Sequence, residues 1–108
     1  PRLHLPSVRL AAFAQKLADL AAALAGDEPR AMIILGLLQV YLGNHQNVRL
    51  ALLDRECFGQ GAYMAASADP DLCNPYSRTI CIPLDGLLKQ SPSVRVRSMV
   101  GRILSMSK

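Results

Sequence analysis

The chain has 108 residues, of which 51% are hydrophobic, 19% charged and 5% aromatic, with a formal net charge of +4. A chain this short buries only about two thirds of its unfolded surface, so one core is expected, and the composition excludes a disordered one. The charge is too mild to call for nucleic acid by itself.

The first expected helix covers Pro6–Ala25. Pro6 stands where proline is tolerated, at a helix start. Phe13, Leu17, Leu20 and Leu24 recur at helical steps, with Gln15, Lys16 and Asp19 on the polar side. Gly26-Asp27 ends this helix, and Asp27 caps a second that runs from Glu28 to Leu42 with Pro29 in its first turn. Ile33, Leu37 and Val40 form one stripe of that helix. Other apolar residues fill most of its remaining circumference, which predicts a central, buried helix with Leu37 inside. Gly36 in its middle would be explained by the close approach of a neighbouring helix.

Gly43-Asn44 is a stop signal. A third helix follows over Gln46–Glu56, with Val48, Leu52 and Leu53 inward. Residues 57–61 read as a turn, Ala62–Ala66 as a short helix-prone stretch, and 67–76, with Asp-Pro and Asn-Pro, as a loop. Thr79–Lys89 returns to a helix with Ile80, Leu84, Leu87 and Leu88 on its apolar side. Ile80-Cys81-Ile82 is compatible with a strand as well, although no second convincing strand exists to pair with it. After the Ser91-Pro92-Ser93 turn, a last amphipathic helix runs to about Met106. Val96, Val100 and Ile103 face inward there, supported by Met99, and Arg95, Ser98, Arg102 and Ser105 share another face.

A short pattern returns three times. Pro6-Ser7-Val8-Arg9-Leu10 is echoed by Gln46-Asn47-Val48-Arg49-Leu50 and again by Pro92-Ser93-Val94-Arg95-Val96, with Val-to-Val spacings of 40 and 46 residues. Helical repeats of the HEAT and armadillo type have periods of about 40–47 residues. Ile82-Pro83-Leu84-Asp85-Gly86-Leu87-Leu88 followed by Ser91-Pro92-Ser93-Val94-Arg95 resembles the junction between the second and third helices of an armadillo repeat. Leu42-Gly43-Asn44-His45-Gln46-Asn47 resembles the turn into the following repeat. The resemblance covers roughly residues 28–58 and 79–106. The family's tryptophan is missing, its small-residue run is mostly Ile and Leu here, and residues 61–78 read as an insertion or a degenerate unit. The resemblance implies an all-α fold, an armadillo/HEAT-like stack of about five to six helices that forms one helical-repeat domain over 1–108. It implies an α-solenoid fragment of a longer protein.

The sequence carries no phosphate-binding glycine loop and no nucleophile elbow. Cys57 and His45 are the one nucleophile–base pair close in sequence, and a packed cysteine beside a loop histidine accounts for them. Asp69 and Asp71 flank Pro70 as turn acids rather than a calcium site. The three cysteines are an odd count with no Cys-x-x-Cys, which argues for free thiols in a reducing compartment and against a zinc site. The longest apolar run, Ala31 to Leu42, is broken by Gln39 and falls short of the about 20 residues of a membrane span. Pro1 begins no basic-then-apolar signal pattern. We therefore expect a cytoplasmic or nuclear interaction module with no cofactor, metal, catalytic residue or membrane contact.

Its expected partner is a protein or peptide, acidic where it meets the C-terminal helix; neighbouring repeats of a parent chain or a second copy are further candidates. The armadillo resemblance places Gln39 where that family carries an asparagine that bonds the backbone of an extended peptide, and the Gln39 amide both donates and accepts. Arg95 and Arg102, one heptad apart, are suited to hold an acidic side chain. Gln39, Arg95 and Arg102 are the expected partner-binding residues. The alternative is nucleic-acid or acidic-surface binding through the basic C-terminal helix, where five cations and no acid follow Asp85. Arginines without interleaved aromatics disfavour single-strand binding.

Overall fold

The computed structural model of the chain describes residues 7–54 and 78–107. Among these, 83% are helical and no strand occurs, so the segment around Ile80-Cys81-Ile82 joins a helix. The expected turn at 57–61, the short helix at 62–66, the loop at 67–76 and residues Cys57 and Cys73 lie outside the described residues.

Among the described residues five helices follow in order: α1 (Ser7–Ala23), α2 (Glu28–Asn44), α3 (Gln46–Leu52), α4 (Cys81–Gln90) and α5 (Val94–Leu104), with a final 3-10 turn over Ser105–Ser107. Their boundaries follow local chemistry. The Asp27 side chain accepts from the Arg30 N–H at 3.3 Å, and Pro29 in the first turn needs no donor of its own. Ser93 caps α5 by accepting from the Val96 N–H at 3.2 Å. Pro83 is tolerated because it falls in the first turn of α4, where an N–H would lack an intrahelical partner.

The helices form two hairpins laid against each other. α1 packs on α2, α4 on α5, and the hairpins meet through α1 against α4 and α2 against α5. α3 is a short link beneath α2 and α1 that also touches the final 3-10 turn. One apolar cluster draws on all five helices: Ala14, Ala18 and Ala21 of α1, Leu35, Leu38 and Leu42 of α2, Val48 and Leu52 of α3, Leu84 and Leu87 of α4, and Val96, Val100 and Ile103 of α5. The alanines let α1 approach its neighbours closely. The radius of gyration, 13.3 Å, matches the about 13 Å of a globule this long.

Two faces differ from the sequence expectation. α1 turns its alanine stripe inward and leaves Phe13 and Leu20 half-exposed. The Phe13 ring meets Tyr41 edge-on with centroids 5.0 Å apart, and the Tyr41 hydroxyl donates to the Leu10 carbonyl at 2.9 Å. α2 is not buried all round. It buries Ala31, Leu35, Leu38 and Leu42, while Ile33, Leu37 and Val40 are 63%, 53% and 65% exposed. Two apolar stripes share this helix, and the hairpin stack has room for one. Gly36 is also not a point of helix approach: a methyl group there would meet nothing within 4 Å.

Gln15, expected on the polar side of α1, is fully buried. Its amide is satisfied by Arg78, whose guanidinium donates to Gln15 Oε1 and whose carbonyl accepts from Gln15 Nε2. The same guanidinium reaches Asp19 at 2.8 Å. Nearby, the Thr79 hydroxyl and the Ile80 N–H both donate to the Leu52 carbonyl, at 2.6 and 3.0 Å. The chain thus leaves the core at Leu53 and returns at Thr79 beside the same backbone.

Candidate functional site

Between α2 and α5 lies a half-open groove of about 380 Å³, lined by Met32, Val94, Arg95, Ser98, Met99 and Arg102. The core pattern of α5 creates it. Val96, Val100 and Ile103 point inward at helical spacing, so Val94, Arg95, Ser98 and Arg102 stand on the outer side, with Met99 half-buried at the border. α2 contributes Met32 from the side it turns toward α5.

The two arginines expected to act together share this groove. Seven residues separate them, two turns of helix, or about 10 Å along the axis. The Arg95 Nη1 lies 3.7 Å from Glu28 Oε1, and both side chains are well exposed, at 77% and 42%. A solvated pair of that length holds Arg95 loosely. The third arginine of α5 is used otherwise: Arg97 Nη1 donates to the Ser91 carbonyl at 3.1 Å, securing the start of its own helix. Gln39 is half-buried and does not line the groove. Seven residues on from Met32, it lies on the same side of α2.

Apolar surface dominates the rest of the site. Val94 is 70% exposed. Met32 and Met99 supply flexible, polarisable floor atoms that adapt to the shape of what they touch. Ile33, Leu37 and Val40 continue this surface onto the outward face of α2. Sequence reasoning found the arginines from their spacing but missed Met32, Val94 and Met99. The amphipathic pattern of α5 contained the signal for Val94, since an apolar residue at its first position falls outside the 96–100–103 face.

The remaining expected chemistry is placed simply. The His45 ring lies against Tyr41 with centroids 4.6 Å apart, and Cys57, with which it was paired in sequence, lies outside the described residues. Cys81 is a buried free thiol whose Sγ donates to the Leu53 carbonyl at 3.5 Å. Among the described residues no cluster of His, Cys, Asp or Glu could hold a metal ion, and no helix is long and apolar enough to cross a membrane.

No protein-family model, curated protein or solved structure matches the chain.

Proposed function

We propose that this protein is an interaction module that holds a peptide or a helix of a partner protein in the groove between α2 and α5. The carrying observation is the combination of exposed Val94 and half-buried Met32 and Met99 with the two exposed arginines in one concavity, beside an apolar stripe on α2 that the core leaves to water. A concave, mostly apolar surface with a few charged groups at its rim is what recognition of a polypeptide segment requires. Gln39, on the Met32 side of α2, is the third residue we assign to the binding surface. Binding, rather than catalysis, is the role we assign.

The architecture we propose for it is a short armadillo/HEAT-like stack. The support is the hairpin-on-hairpin arrangement, α1 on α4 and α2 on α5. An intracellular setting, cytoplasmic or nuclear, suits the buried free thiol of Cys81.

Nucleic-acid binding through α5 is the weaker reading, because Arg97 is engaged with Ser91 and the cations left on the groove side are interleaved with methionine and valine. The test is a photo-crosslinking residue placed at Val94 in cells, with one at exposed Ile82 of α4 as control. A specific protein adduct is expected at position 94, absent at 82 and lost on Arg102→Glu. Adducts to nucleic acid, or the same adducts from both positions, would overturn the reading.

A further inference from the structure

We infer that the groove takes an acidic amphipathic helix, with carboxylates at positions i and i+7 and an apolar pair at i+3 and i+4 between them. This rests on the groove being the binding site. Three observations carry it, and the first is charge. The rim carries Arg95 and Arg102, and Glu28 lies 3.7 Å from Arg95 in an exposed pair that an incoming carboxylate can exchange with.

The second is spacing. The two arginines are seven residues apart on one helix face, about 10 Å, a rise that a second helix lying alongside reproduces with its own seven-residue step. An extended segment covers the same length in about three residues.

The third observation separates helix from strand. An extended peptide brings unpaired N–H and C=O groups that must be satisfied on the surface it binds. Met32, Val94 and Met99 offer methyls and thioethers, Arg95 and Arg102 only donate, and Ser98 is the single neutral polar side chain in the lining. Gln39, the residue suited to bond a peptide backbone, lies outside the lining. A helix satisfies its own backbone and asks of the groove only apolar contact and charge. The apolar pair of the partner helix then sits between Met32 and Met99 while its two carboxylates meet Arg95 and Arg102.

The experiment uses the full chain with carbon-13 methyl-labelled methionine and designed alanine-rich peptides of about 25 residues, long enough to be helical in isolation. Four peptides are compared: the matched one; one with its glutamates at i and i+5; one with glutamines in place of the glutamates; and an extended proline-containing peptide with glutamates three residues apart. The expected result is that the matched peptide shifts the Met32 and Met99 methyl signals and binds at least about tenfold tighter than the other three. Arg95→Ala and Arg102→Ala should each weaken it several-fold without moving the melting temperature.

Equal binding of the off-register or glutamine peptide would overturn the charge spacing, and preference for the extended peptide would overturn the helix. Silence of both methyls with every peptide would overturn the inference outright, as would the same shifts from anionic vesicles or an RNA oligonucleotide at matched salt. Whether the groove is a binding site at all is decided separately by the adduct at position 94, which needs no designed peptide.

Discussion

Leu35 and Leu37 are two positions apart on α2 and have opposite environments. Leu35 is fully buried among the core residues, whereas Leu37 is half in water. Leu37→Asp should therefore leave the melting temperature nearly unchanged, since no charge is taken out of solvent. Leu35→Ala should lower the unfolding free energy by about 2–5 kcal/mol, combining lost transfer energy with a cavity. Urea denaturation of the two variants measures the contrast, and a collapse of Leu37→Asp would show that α2 is covered on its outer side. Arg78 behaves like a core residue by a different route. Removing its side chain strips Gln15, which is completely buried, of the guanidinium that satisfies its carbonyl oxygen. Arg78→Ala is expected to cost about 1–3 kcal/mol, through the loss of charge-assisted hydrogen bonds to a buried amide. The Asp19 ion pair adds little, because it is partly solvated. The same substitution with Gln15→Leu should restore part of the loss, which a double-mutant cycle reads directly.

At the scale of the element, α5 was legible in full and α2 only in its boundaries. α5 has one apolar face, Val96, Val100 and Ile103, and a capping serine, so periodicity and chemistry agree on which side is inward. Replacing that cap, Ser93→Ala, should cost about 1 kcal/mol in chemical denaturation. α2 offers two apolar stripes, one led by Leu35 and Leu38 and the other by Ile33 and Leu37. Periodicity shows that both exist but not which one the stack covers, because that depends on where α1 and α5 lie. On α1 the large residues Phe13 and Leu20 drew attention away from Ala14, Ala18 and Ala21, which pack inward because close helix approach favours small side chains. Gly36 shows the same limit: a glycine within a helix suggests a close neighbour, yet the space beside it is open. Gly36→Ala should then stabilise the protein by up to about 1 kcal/mol, the helix propensity gained without a clash. A loss of stability there would mean that the groove side of α2 is more tightly covered than its geometry shows.

The three Val-Arg echoes take on a different meaning in the whole molecule. Each marks the start of a helix, but Val8 is half-buried, Val48 buried and Val94 largely exposed. The recurrence therefore records helix starts, where Pro and Ser are favoured, more than equivalent places in one repeated core. The candidate site was half legible for a related reason. Arg95 and Arg102 lie on one helix and follow from spacing, whereas Met32 joins them only through the packing of α2 on α5.

That packing makes a claim about cooperativity that can be tested. In a long solenoid each repeat leans mainly on its neighbours, and stability is close to a sum over units. Here the two hairpins share one cluster, to which the first gives Leu35 and Leu38 and the second Leu84, Val96 and Val100. The backbone also ties the halves at Leu52, whose carbonyl accepts from both Thr79 and Ile80. A fragment of residues 1–54 would leave the inner faces of α1 and α2 in water, and a fragment of 78–108 would do the same to α4 and α5. Hydrophobic burial is the main term opposing chain entropy, so neither half retains enough of it to fold. Each fragment alone is expected to show weak helical circular dichroism and no cooperative melting transition. Mixed in equal amounts, the two should recover helical signal and a transition whose midpoint rises with concentration, because folding has become a bimolecular association. A fragment 1–54 that melts cooperatively by itself, near the temperature of the intact chain, would show instead that the first hairpin is an independent unit and that the shared core contributes little.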